Sequence, residues 1–144
     1  MEDIFVVEAI DKRFDHVSRI EGRSERLEML MQLDVNTEIY PIKKEDKYAL
    51  LITPTLHADG TGDSGYYGQG KQGSIADKYE YIMYGKLYKI QEEGSGADIK
   101  AYVTQILELF ISFGGLLLSL KGNPDYITEF QLDHKYFLCM RKLV

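Results

Sequence analysis

Leu27, Met29, Met31, Leu33, Val35, Thr37 and Ile39 alternate with Glu28, Gln32, Asp34, Asn36 and Glu38. Successive side chains on a strand point to opposite faces, so this run specifies one buried and one wet face, with Leu30 the only clear exception. The run is long for one strand, and a bulge near Asp34 to Asn36 is expected to bend it round a barrel.

Further strands are expected at Ile4 to Ile10, Phe14 to Ile20, Tyr48 to Thr53, Tyr79 to Ile90, Phe113 to Leu120 and Tyr136 to Leu143, punctuated by Gly, Pro, Asn and Asp. Eleven tyrosines and six phenylalanines without a tryptophan suit strand faces on which aromatic and β-branched side chains pack across neighbours. Tyr81, Tyr84 and Tyr88 fit either such packing or exposure. Pro41 ends the long strand because it has no amide donor. Lys43 to Asp46 and Lys121 to Asp125 then read as turns. The glycine-rich stretch over 54–78 is too long for an ordinary connection and is expected to be a mobile or functional loop. At Ile99 to Ile111, Val103, Ile106, Leu107, Phe110 and Ile111 form one apolar stripe at helical spacing, so a short helix is expected over 99–111. Gly114-Gly115 would end that helix or lie within the following strand.

The 144 residues fall within the size range of one domain, so one core over 1–144 is expected. With 44% hydrophobic and 28% charged residues, a packed interior is expected rather than a disordered chain. A net charge of −6 argues against a protein whose main work is neutralising phosphate. Cys139 is the sole cysteine, so no intrachain disulfide can form. The start Met1-Glu2-Asp3 lacks the basic and apolar regions of a signal peptide, and the apolar stretch from Ile106 to Leu120 is too short and interrupted to span a membrane.

Few residues suggest chemistry. Gly60-Thr61-Gly62-Asp63-Ser64-Gly65 matches a dinucleotide-binding pattern, and Gly65 to Gln72 comes within one residue of a phosphate-binding loop. Both lack the helix that should follow, and Gln72 stands where a hydroxyl should bind magnesium. His16, His57, His134 and Cys139 show no metal-ligand spacing. Neither a catalytic residue, a metal nor a cofactor is expected. Lys12, Arg13, Arg19, Arg23 and Arg26, with Phe14, form the one basic cluster, and on an OB-type barrel such a cluster could hold single-stranded nucleic acid. The interspersed Asp11, Asp15, Glu21, Glu25 and Glu28 favour a mixed, solvated surface instead.

Glu2-Asp3-Ile4-Phe5, Val17-Ser18-Arg19-Ile20, Leu33-Asp34-Val35-Asn36, Ile39-Tyr40-Pro41 and Asp46-Lys47-Tyr48 are followed by the long run Ala76 to Ile90 and by Ser112-Phe113-Gly114-Gly115-Leu116-Leu117. In wording and order these resemble the common subunit shared by nuclear RNA polymerases I, II and III, the eighth subunit of RNA polymerase II, and most closely its plant members. The resemblance covers nearly the whole chain. It implies an all-β, antiparallel Greek-key barrel resembling a duplicated OB fold. It also implies docking near the pore on the largest polymerase subunit, contacts with other polymerase subunits, no self-association in the complex, and a location in the nucleus, nucleolus included. Catalysis and its magnesium would belong to the two large subunits. Thr104 to Ile111 depart from the family pattern as an apparent insertion.

Tyr84, Lys86, Tyr88, Phe113, Gly114 and Gly115 are the expected partner-binding residues, because an aromatic strand surface needs cover and glycine allows close backbone approach. A free single-strand binder using the basic cluster is the alternative.

Overall fold

The computed structural model describes residues 1–57, 75–93, 106–127 and 129–143. Eight strands are present: β1 Glu2–Phe14, β2 Val17–Ser24, β3 Leu30–Asn36, β4 Lys47–Thr53, β5 Tyr81–Glu93, β6 Ile106–Phe113, β7 Leu116–Gly122 and β8 Lys135–Lys142. They close into one antiparallel barrel in the order β1-β2-β3-β7-β6-β5-β8-β4. β1, β2 and β3 form a meander, and β4 returns to pair with β1. β5, β6 and β7 form a second meander, and β8 returns to pair with β5. Each half is thus a Greek key, a three-strand meander whose fourth strand lies beside its first. The halves join at β3–β7 and β4–β8, which removes both sheet edges from the closed part of the barrel.

Period two sets the core. Met29, Met31, Leu33 and Val35 are buried as the alternation demands, and Leu30 points outward at 41% exposure. They meet Phe5, Val7, Ile20, Tyr48, Leu50, Ile52, Leu87, Leu109, Ile111, Leu118, Leu120, Leu138 and Met140 in a single cluster. β3 is shorter than the alternation suggests. It stops at Asn36, whose side-chain oxygen accepts the amides of Glu38 and Ile39 and turns the chain away. Ile39 consequently lies 71% exposed. The expected Phe14–Ile20 strand is split by the turn at Asp15-His16.

The helix expected over 99–111 is corrected by β6: residues 106–111 are extended, and 99–105 lie outside the described residues. Leu107, Leu109 and Ile111 pair with β5 and β7 on their two sides, Ile106 pairs with β5, and Leu109, Ile111 and Phe113 face the core at a spacing of two. The residues 106–111 of the expected insertion are therefore barrel wall. Gly114-Gly115 neither ends a helix nor lies within a strand. With φ of +65° and +105° they form the tight β6–β7 hairpin turn, a backbone region that glycine enters at no steric cost.

Two buried carboxylates hold the strands where the ladders stop. Asp3 accepts the amides of Ile4 at 2.7 Å, Arg26 at 3.2 Å and Leu27 at 2.7 Å, which fastens the β2–β3 connection onto β1. The β3–β7 ladder ends at Leu33–Leu118, and beyond it Asp34 Oδ2 accepts the Leu117 amide at 2.9 Å. The same carboxylate takes Arg19 Nε at 2.7 Å and Nη2 at 3.1 Å, a two-pronged pair between cross-strand neighbours of β2 and β3.

Candidate functional site

Tyr84, Lys86 and Tyr88 alternate along β5 and emerge together on the outside of the barrel, at 51% exposure for Tyr84 and 44% for Tyr88. They stand out because their inward neighbours are so tightly placed. Leu87 is fully buried, and a Cβ at Gly85 would lie 2.3 Å from the Ser112 carbonyl oxygen and 2.6 Å from Phe113 Cδ1. Gly85 thus lets β6 and the Phe113 ring press against β5. A register shift between Leu87 and Lys89 then inserts one extra residue into β5, and both Tyr88 and Lys89 are exposed there.

Neighbouring strands complete the face. The Tyr84 ring lies 4.2 Å from Phe137 of β8, and the Tyr88 ring 6.2 Å from Phe110 of β6. Lys135 Nζ sits 5.9 Å above Tyr84, and Lys89 Nζ 5.2 Å above Phe110. Lys86 faces Asp133 at 3.8 Å. Phe137, Phe110, Lys89 and Lys135 carried no sequence signal for this role. Phe110 fitted a helical stripe, and the other three meet the face only through the β5–β6 and β5–β8 registers. Of the remaining expected partner-binding residues, Phe113 belongs to the core at 7% exposure, while Gly114 and Gly115 are exposed at the barrel end.

The basic cluster does not converge. Lys12 and Arg13 lie near the β1–β2 tip, Arg19 and Arg23 along β2, and Arg26 beyond its far end. Arg13 faces Asp11 at 3.7 Å, Arg23 faces Glu8 at 3.4 Å, and Arg19 is held by Asp34, whose hydrogen bond raises the guanidinium pKa. Arg26 donates to the Glu2 carbonyl at 2.9 Å. Phe14, 71% exposed, stands at the tip beside this neutralised surface.

Polar chemistry elsewhere is structural. Tyr40 donates to Glu80 at 2.6 Å, and Glu80 also accepts the Lys142 amide at 3.0 Å. The Tyr40 hydroxyl therefore ionises well above its usual range, through burial first and this carboxylate second, while Glu80 is lowered. Tyr40 stacks on Tyr81 at 5.1 Å and meets Tyr48 edge-on at 6.0 Å. Burial pushes the Cys139 thiol up to about 11. Among the described residues no group of three His, Cys, Asp or Glu side chains could hold a metal ion, and no helix is long and apolar enough to cross a membrane. The segments 60–65 and 65–72 fall outside the described residues.

The fold defines a class: a small OB-like barrel of two Greek keys, with an aromatic and cationic patch on one sheet surface. Within that class the chain belongs to the RNA polymerase Rpb8 family, whose model matches residues 2–142. It is 54% identical over 145 residues to the DNA-directed RNA polymerases II, IV and V subunit 8B of Arabidopsis thaliana, covering 99% of this chain and 94% of that one. A Dictyostelium discoideum subunit named for polymerases I, II and III is 41% identical, with 98% and 95% covered. The Saccharomyces cerevisiae subunit RPABC3 is 31% identical over 149 residues, with 97% and 96% covered.

Proposed function

We propose that this chain is a non-catalytic subunit of nuclear DNA-directed RNA polymerases, docking on the largest subunit and supporting assembly of the transcribing complex. The family match over residues 2–142 carries this reading. Its place is the nucleus, nucleolus included, and its partners are the other polymerase subunits. Docking runs through the outer face of β5, with Tyr84, Lys86 and Tyr88 in contact and the Gly114-Gly115 turn beside them. Phe113 supports that turn from within the core. Of the added segment Thr104 to Ile111, the described residues 106–111 lengthen the wall that carries this face.

Free single-strand binding is the weaker reading, because Arg13, Arg19 and Arg23 already face carboxylates and would have to leave them to reach phosphate. Affinity purification of the tagged full chain from nuclear extract tests the proposal. The large polymerase subunits are expected to co-purify in stoichiometric amounts. Recovery of unrelated proteins alone would refute it.

A further inference from the structure

The β5 face offers more than apolar cover. Lys89 and Lys135 pair with no carboxylate among the described residues, and each instead places its ammonium over a ring, Phe110 and Tyr84 respectively. On a chain of net charge −6, two such cations on one aromatic patch are a local reversal of sign. Their spacing follows from the register. Lys135 lies directly opposite Lys86, and Lys89 is three residues further along β5, so the two backbone positions are about 10 Å apart along the strand direction. That separation is spanned by about three residues of extended chain.

We infer that this face takes an extended acidic segment of a larger polymerase subunit: an apolar side chain seated among Tyr84, Tyr88 and Phe110, flanked by two carboxylates three or four residues apart that meet Lys89 and Lys135. The inference rests on the polymerase-subunit reading above and adds the chemistry of the partner. Among the described residues neither lysine has an acid to give up to an incoming carboxylate, and the rings stay beneath the cation as it binds. The bulge after Leu87 is what turns Tyr88 and Lys89 to the same side. Single-stranded nucleic acid fits less well. Stacking needs free ring faces, whereas Tyr84 is closed by Phe137 at 4.2 Å on one part and by Lys135 on another.

The test uses the full chain with fluorescent peptides tiled across the large polymerase subunits, read by anisotropy at low and high salt. The expected best binder is a peptide with two acidic residues at that spacing. Its affinity is expected to fall roughly tenfold in Lys89→Gln/Lys135→Gln, two surface pairs each worth up to about fivefold, and to lose most of its salt dependence. Replacing the two acids by their amides is expected to give the same loss without further loss in the double variant. A best binder without acids, or one indifferent to the double variant yet abolished by Tyr84→Ala/Tyr88→Ala, would overturn the acidic-segment inference while leaving the docking face intact. Salt-sensitive binding of an oligouridine that disappears in the double variant, with no acidic peptide bound, would also overturn it. If the tagged chain retains the polymerase when both the tyrosines and the lysines are replaced, the docking face itself fails.

Discussion

Asp34→Ala should expose how much of the barrel depends on one carboxylate. Asp34 is 6% exposed and Arg19 27%, and the carboxylate serves Arg19 Nε, Arg19 Nη2 and the Leu117 amide. Removing it leaves a strand amide without its acceptor just where β3 and β7 part, and a guanidinium without its anion. Breaking a fully buried pair costs about 3–5 kcal/mol. Water reaches part of Arg19, which lowers the figure, while the orphaned Leu117 amide adds about 1–3 kcal/mol. We therefore expect a loss of about 2–4 kcal/mol, a large share of a typical stability of about 5–15 kcal/mol. At about 3 °C per kcal/mol for a domain of this size, Tm should fall by roughly 6–12 °C.

Urea unfolding followed by circular dichroism measures this, with the slope unchanged and the midpoint shifted. Asp34→Asn keeps an acceptor for Leu117 and should lose about half as much. In the double-mutant cycle with Arg19→Met, the coupling should reach about 1–3 kcal/mol. A loss below 1 kcal/mol in Asp34→Ala, or strict additivity with Arg19→Met, would refute the clamp.

Gly85→Ala would drive a methyl group into the Ser112 carbonyl and the Phe113 ring, and should cost about 3 kcal/mol or more, read as a lowered urea midpoint; an unchanged midpoint would show that β5 and β6 can separate without penalty. The Cys139 thiol, with a folded pKa of about 11 against an ordinary value near 9, is neutral in the folded chain while the unfolded chain ionises. The folded state then holds more protons, so stability is intact below pH 9 and falls as pH rises from 9 to 11. Urea midpoints taken across that range should decline more steeply for the natural chain than for Cys139→Ala, and equal slopes would contradict it.

The β3 alternation was readable because a strand with one face in the core repeats its polarity every second residue, and Met29, Met31, Leu33 and Val35 have no other buried arrangement. The site was partly readable. Tyr84, Lys86 and Tyr88 show their common side in the spacing of one strand, but Phe137 and Phe110 join them from strands far away in the chain. Phe113 illustrates the converse. Next to two glycines it looked like a surface residue, yet the missing Cβ of Gly85 makes room for its ring inside.

Ile106 to Ile111 mark the boundary between what the sequence determines and what tertiary structure decides. Their apolar residues satisfy both a helical stripe and a two-residue period, so local propensity leaves the choice open. Pairing with β5 on one side and β7 on the other settles it, because a strand between two neighbours finds partners for its backbone groups on both sides, whereas a lone short helix would leave its apolar face uncovered. By itself the sequence determined an all-β chain, its β3 core face and its family. Only the closed barrel decided that 106–111 is wall, that Gly114-Gly115 is a hairpin turn, and that Lys89 and Lys135 stand over aromatic rings. These depend on registers between residues distant in the chain, which no local pattern encodes.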